Sequence, residues 1–433
     1  MTPPLIIHSR EHETVFCHIS NEYRECLKKR IDSCKPQKLL GLHETKDGFA
    51  PGNFIGIVWL DKGNKPVVLR ADSKFSTMDY IAMYVKCMAH PTISNRTAKC
   101  LHVWADEKFI DADGHDFSIL IIITYLRELN KFCQQHMRRH FTRERQNFVG
   151  KVKGKILVGE NLRRNIIHAR PDRIYCEYQS VSDDILENQI LRTALERASR
   201  FFNEYRGDKD VLHILPQWIC ASRAALNGVS TKKVKPSDFA AARKHGTFAF
   251  YARPLALAKA VLQQLGPNPK MEISQTQTPP FALNSAALFE RYAEIVLSDR
   301  FPKIEAQRSN IGGNNDENFN IKVRPDFYVP DEIEPLIIDA KYKKRKEILP
   351  NDENPNENRK PANSDIYQVV AYSRHKALLK KMGCGENTPV RMKLGIAYPI
   401  IGGKEIQETV ESESFLTDIM SYGIPCPKHN EDK

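Results

Sequence analysis

The sequence predicts an α+β chain with α/β character, divided into several domains. Three observations carry this. At 433 residues the chain is long enough for two or three separate cores. A hydrophobic fraction of 41% and a charged fraction of 27% describe a globular protein. Along the chain, runs with strand-like alternation give way repeatedly to runs with helical spacing.

The elements follow in order. The first 50 residues are polar and irregular. Phe54 to Leu60 and Pro66 to Leu69 are apolar runs separated by Asp61-Lys62-Gly63-Asn64, which predicts a β-hairpin. "CLHVWADEKFIDADG" predicts another strand. Phe117 to about His140 has helical spacing and ends in basic residues, as a helix C-terminus favours. "VGKVKGKILVGENLRRN" (149–165) alternates and predicts a strand. Asp183 to Tyr205 predicts an amphipathic helix, and Pro254 to Leu265 another. "GPNPKMEISQTQTPP" (266–280) holds four prolines and no hydrophobic period, which marks a domain boundary. A helix capped by Asn284 or Ser285 follows, then two strands around Pro330–Pro335. A polar, Pro/Asn-rich loop (350–364) comes next, then a helix capped by Ser364 and stopped by Gly383, then a strand in "VRMKLGIAYPII". The expected domains are a β-rich region with a long helix (1–145), a mostly helical region (146–275) and a mixed sheet flanked by helices (276–433).

Ten scattered cysteines form no Cys-x-x-Cys pair and no Cys/His spacing suited to zinc. No apolar run reaches the length of a membrane span, and Met1-Thr2-Pro3-Pro4 lacks the features of an export signal. Together these point to free thiols and a cytoplasmic protein with no membrane partner. The net charge of +12 favours a polyanionic partner.

The chemistry concentrates in "VRPDFYVPDEIEPLIIDAKYKK" (323–344). Residues two apart on a strand share a face, so Asp339 and Lys341 lie side by side with Ile337, while Leu336, Ile338 and Ala340 pack the other way. Asp326 opens the preceding strand. Two carboxylates converging from adjacent strands can hold Mg²⁺, a cation that prefers oxygen ligands. A neighbouring lysine can neutralise charge on a phosphate undergoing attack. The alternative is a surface ion pair at a strand mouth, whose loss costs roughly 0–1 kcal/mol. Gln368 and Tyr372 share a helical face one turn apart. Glu290 lies in the helix before the strands, off its apolar stripe, and is a supporting carboxylate at most.

Pro-Asp, a turn and Asp-x-Lys, followed by Gln-x-x-x-Tyr, resemble the PD-(D/E)xK nucleases of the RecB-like branch. The ordered set "LFERYAEIVL", "RPDFYV", "LIIDAKYK" and "DIYQVVAY" resembles the nuclease half of the McrC family. Upstream, "GNFIGIVWL", "VKGKILVGENLRRN" and "DDILENQILRTAL" are similar to its N-terminal half. The resemblance covers roughly residues 50 to 400. It implies a restriction-endonuclease-like C-terminal domain with Asp326, Asp339, Lys341, Gln368 and Tyr372 as catalytic residues. Asp326 and Asp339 would bind Mg²⁺. It also implies an N-terminal half that docks on an McrB-like AAA+ GTPase ring and stimulates it, and cleavage of foreign double-stranded DNA modified in the manner of 5-methylcytosine. The sequence has no Gly-x-x-x-x-Gly-Lys-Ser/Thr loop, so GTP would be hydrolysed by the partner. Lys343, Lys344, Arg345 and Lys346 beside the site are candidate DNA contacts. A second basic cluster (Arg138, Arg139, Arg143, Arg145, Lys151, Lys153, Lys155) suits either DNA or the ring. Two other readings remain open at this point: a standalone RecB-like repair nuclease, and a non-catalytic adaptor of an AAA+ motor.

Overall fold

A computed structural model describes residues 4–16, 41–46, 48–61, 66–111, 119–137, 140–204, 212–265, 277–306, 324–331, 334–343, 362–384, 392–412 and 419–428. The chain forms two compact units. One comprises Met1–Ile110, Gly207–Leu212 and Pro280–Lys433; the other comprises Asp111–Arg206 and His213–Pro279. The residues before 110 and after 280 therefore share one unit, where separate domains were expected. The expected cut at 145/146 falls inside a strand.

The first unit opens with β1 (Leu5–Arg10), β2 (Phe54–Asp61), β3 (Val67–Asp72), helix α1 (Tyr80–Ala89) and β4 (Leu101–Val103). β2 and β3 pair antiparallel as the hairpin reading requires, and β1 adds to β3 in parallel.

In the second unit, α2 (Ile119–Gln135), α3 (Leu186–Glu204), α4 (Leu215–Ala225) and α5 (Ala252–Gln264) pack together. Leu120, Leu126, Ile190, Leu191, Leu195, Leu255 and Val261 are fully buried among them. β5 (His140–Val149) and β6 (Arg173–Ser182) form a long antiparallel pair. The strand expected over 149–165 is displaced. Pairing ends at Val149, only Lys155–Ile156 return to the sheet, and Val158–Ile166 is helical. Gly150 and Gly154 adopt positive φ and break the alternation. Buried Asn165 then exchanges hydrogen bonds with Asn147 (2.8 and 2.9 Å) and donates to Asn161 (2.6 Å), which fixes the helical turns.

The chain re-enters the first unit as β7 (Phe281–Asn284), which inserts between β2 and β4 and completes the order β1-β3-β2-β7-β4. Gly56 makes this possible: a Cβ there would sit 2.2 Å from the Phe281 carbonyl oxygen. β7 runs directly into α6 (Ser285–Arg300), capped by Asn284, whose Oδ1 accepts the Ala287 N–H at 2.8 Å.

Next come β8 (Phe327–Val329), β9 (Leu336–Ala340), α7 (Asn363–Tyr372), β10 (Lys393–Ile401), β11 (Gln407–Ser412) and β12 (Ile419–Cys426). With Glu305–Ala306 at one edge they form a mixed sheet ordered β8-β9-β10-β12-β11. β9, β10 and β12 run parallel at its centre. Ile337 packs beneath α7 with Val369, Tyr372 and Leu378. Ser364 lies within α7 and does not cap it. The helix stops at Tyr372, and a short second helix (Lys376–Lys381) precedes Gly383. Among the described residues, no helix is long and apolar enough to cross a membrane, and the cysteines are free thiols.

Candidate active site

β9 lies between two neighbours whose directions differ. Antiparallel pairing with β8 brings Asp326, one residue before β8, alongside the end of β9. Asp326 Oδ2 accepts the Ala340 N–H at 2.8 Å, from the residue between Asp339 and Lys341. Parallel pairing with β10 carries on past β9, because the Lys341 N–H donates to the Ala397 carbonyl at 2.8 Å. Lys341 is thus held extended, and its side chain emerges on the same face as Asp339 and Ile337.

On that face Lys341 Nζ forms an ion pair with Asp339 Oδ2 and donates to Gln368 Oε1 at 2.7 Å. Gln368 Nε2 in turn donates to the Tyr372 hydroxyl at 2.5 Å, and that hydroxyl donates to the Arg324 carbonyl at 3.4 Å. The chain of contacts leaves β9, crosses α7 and returns to the segment carrying Asp326. Sequence spacing puts Gln368 and Tyr372 on one helical face; the structure turns that face toward Lys341.

The pair is not a surface ion pair. Asp339 is 2% exposed. Burial raises its carboxyl above the ordinary range, while the Lys341 ammonium and a hydrogen bond from Asp326 draw it back. Asp326 is pushed up to about 8, first by burial and then by the charges of Asp339 and Glu290. Glu290 is also raised by burial; Arg291, Arg324 and Lys341 oppose the shift and Asp339 adds to it. Burial pulls the Lys341 ammonium down, but Asp339, Asp365 and Asp326 outweigh it and the net shift is upward. Glu290 therefore belongs to the same electrostatic cluster as the two aspartates. The off-stripe position of Glu290 on α6 faces this cluster.

Asp339 raises both Asp326 and Glu290, and Glu290 adds to the shift at Asp326, so the acids lie close enough to feel one another's charge. Asp339 Oδ2 is buried and set against the Lys341 ammonium. Such an oxygen suits a hard cation, which binds through one or two carboxylates and completes its shell with water and phosphate oxygens. Asp326 and Asp339 are the residues that could hold it. Among the described residues, no three Asp, Glu, His or Cys side chains converge as a complete cage.

Two neighbours carry roles that sequence spacing did not reveal. Asp365, in the first turn of α7, is buried and accepts from Lys343 Nζ at 2.8 Å and the Tyr398 hydroxyl at 3.2 Å. In sequence it reads only as a favourable charge at a helix start. Tyr342, next to Lys341, is buried and reads as an ordinary strand residue. Of the proposed DNA contacts, Lys343 is exposed but engaged with Asp365. Lys344, Arg345 and Lys346 lie outside the described residues, as do Arg138 and Arg139. Arg143, Arg145, Lys151, Lys153 and Lys155 are exposed on the second unit's sheet, with Arg145 paired to Glu177 at 2.8 Å.

Comparison with known proteins places the chain in a family. Two solved structures are similar in outline. One, titled as a refined half-complex from a tetradecameric assembly of Thermococcus gammatolerans McrB AAA+ hexamers with bound McrC, aligns at 16% identity and a TM-score of 0.43. The alignment covers 97% of this chain and 94% of that one. The other, a cryo-EM structure of the Thermococcus gammatolerans McrBC complex, aligns at 16% identity and a TM-score of 0.33. It covers 67% of this chain and 87% of that one. No curated protein matches. Residues 65–381 match the family model described as McrBC 5-methylcytosine restriction system component, a span that takes in Glu290, Asp326, Asp339, Lys341, Gln368 and Tyr372, the whole second unit and part of the first. The chain belongs to the McrBC family.

Proposed function

We propose that the chain is the Mg²⁺-dependent nuclease subunit of a two-component restriction complex. It would cleave double-stranded DNA carrying 5-methylcytosine-type modification and work with an McrB-like AAA+ GTPase ring. The observation that carries this reading is the ammonium of Lys341, held between Asp339 and Gln368 beside a second carboxylate, Asp326. The arrangement supports a PD-(D/E)xK reading of the β8–β9–α7 region.

Each side chain then has a task. Asp326 and Asp339 hold the divalent cation, which when bound polarises the scissile phosphate and acidifies water. Lys341, fixed by Gln368, offers a donor to the attacked phosphate as negative charge builds on it. Tyr372 holds Gln368 and so limits where Lys341 can point. Glu290 keeps the local field negative and favours cation entry.

The second unit supports the partner assignment. Its sheet and the adjoining helical turns expose Val149, Val152, Val158 and Ile167 among Lys151, Lys153, Arg163 and Arg164. Apolar side chains this exposed on a basic surface suit a protein partner better than DNA alone.

The test combines the purified chain with its McrB-like AAA+ GTPase partner, GTP, Mg²⁺ and methylated or unmethylated plasmid. Methylation-dependent cutting by the wild type, absent in Asp339→Ala and Lys341→Ala and in excess EDTA, is the expected result. Cutting by either variant at the wild-type rate overturns the assignment.

A further inference from the structure

The residue after Lys341 is tied to the other end of the chain. Tyr342 is buried, and its ring packs edge-on against Phe75 at 5.0 Å and near Phe289 of α6 at 6.0 Å. Its hydroxyl meets the Tyr80 hydroxyl at 2.5 Å and donates to Glu11 Oε2 at 3.1 Å. Its carbonyl accepts from Lys74 Nζ at 2.6 Å. Glu11 is 4% exposed. Its Oε2 also accepts the Lys74 N–H at 3.1 Å, and its Oε1 accepts the Ser285 hydroxyl, the first residue of α6. One carboxylate therefore grips both the residue that follows Lys341 and the start of the helix that carries Glu290.

We propose that Glu11 is a positioning residue for the active site, setting the end of β9 and the start of α6 in register so that Lys341 and Glu290 meet Asp326 and Asp339. This rests on the nuclease reading above. A buried carboxylate costs free energy unless its partners repay the lost hydration. Here Glu11 stays above the ordinary carboxylate range, chiefly because burial outweighs its hydrogen bonds. A site that needed only packing would be served by an apolar side chain. What a carboxylate adds is two oxygens at fixed separation, each taken by a different element. An error of about 1 Å at a reacting group can cost on the order of 100-fold in rate, so the register of these elements matters to chemistry.

The test uses the full-length chain with its GTPase partner, GTP, Mg²⁺ and methylated plasmid, beside hydrogen exchange of the isolated full-length chain. Glu11→Ala and Tyr342→Phe should speed exchange over residues 336–343. They should lower kcat on the order of 10- to 100-fold, with KM for DNA unchanged. Glu11→Gln keeps the shape and one acceptor oxygen for the Lys74 N–H and the Tyr342 hydroxyl, and its amide can donate to the Ser285 hydroxyl, so it should restore most of the rate. Wild-type exchange and kcat in Tyr342→Phe and Glu11→Ala overturn the proposal. Faster exchange with wild-type kcat also overturns it, because the tie would then be structural alone. If Glu11→Ala does not fold, Tyr342→Phe decides by the same two readouts. A kcat loss as deep in Glu11→Gln as in Glu11→Ala assigns the effect to charge and refutes positioning. If the folded wild type cuts nothing, the nuclease reading itself fails and the catalytic role of Glu11 falls with it.

Discussion

Lys341 is the ammonium nearest to a group of acids that would otherwise repel one another, and its partner Asp339 is buried rather than solvated. The two alanine variants should therefore differ in stability, although both are expected to lose cleavage. Lys341→Ala leaves Asp339 buried without its cation, at a cost on the order of 3 kcal/mol in metal-free protein. Asp339→Ala removes a repelling charge and should be close to neutral or stabilising. Urea unfolding in EDTA measures both; equal losses would mean that the pair behaves as a solvated surface bridge. Asp326 adds a pH dependence. Its folded carboxyl titrates at about 8, against an ordinary value of 3.8. The folded chain thus binds the extra proton between those values, and stability falls as the pH rises through that window. The penalty is absent below the unfolded value and complete above the folded one. Asp326→Asn, which carries no charge, should gain on the wild type as the pH is raised from about 5 to about 8 in EDTA. A difference that stays constant over that range argues that Asp326 is ordinary.

At the scale of elements, β7 decides most. Four residues, Phe281–Asn284, pair with β2 on one side and β4 on the other, then become α6 without a break. Gly56→Ala would press a methyl against the Phe281 carbonyl, force the two strands apart and cost roughly 1–3 kcal/mol. Calorimetry of that variant checks it; an unchanged melting temperature would mean that β7 is dispensable to the sheet. None of this was legible in sequence. "FALN" is too short for period-two reading, and its partners lie more than 170 residues upstream. Local patterns did reveal the β2–β3 hairpin, a helix cap at Asn284 or Ser285, and Asp326, Asp339, Lys341, Gln368 and Tyr372 as a group. Those signals depend on spacings of a few residues, or on side chains that must share one strand or helix face. Glu11 escaped because its value lies in what it joins, Ser285 and Tyr342, each far away in sequence. The 149–165 segment misled because alternation of apolar and basic residues persists there while Gly150 and Gly154 turn the backbone away.

The whole molecule is organised as an insertion. The chain leaves the first unit at Ile110 and returns at Pro280, and everything between them, apart from Gly207–Leu212, builds the second unit. The Trp104 N–H donates to the Pro280 carbonyl at 2.9 Å, so the return point is fixed beside β4 in the sheet. A cut at 275, which composition alone suggests, would take β7 out of that sheet, leave β2 paired with β3 alone and detach β4. The fragment 1–275 should then be poorly folded in its first 110 residues. The fragment 111–279 has the better claim to independence. Helices α2 to α5 bury their own apolar faces, as a domain that folds alone must, and the unit carries the exposed basic and apolar sheet. We expect 111–279 to be soluble, to unfold cooperatively, and to bind the AAA+ partner and raise its GTPase rate. We expect 1–275 to show a broad or partial transition. The remainder, 1–110 joined to 280–433 by a short flexible linker, should keep the Lys341 site and bind Mn²⁺ without binding the ring. Circular dichroism melts and GTPase assays on the three proteins separate the outcomes. If 111–279 folds but leaves the GTPase untouched while the full chain stimulates it, ring contact belongs to the first unit. The inserted unit would then need another task.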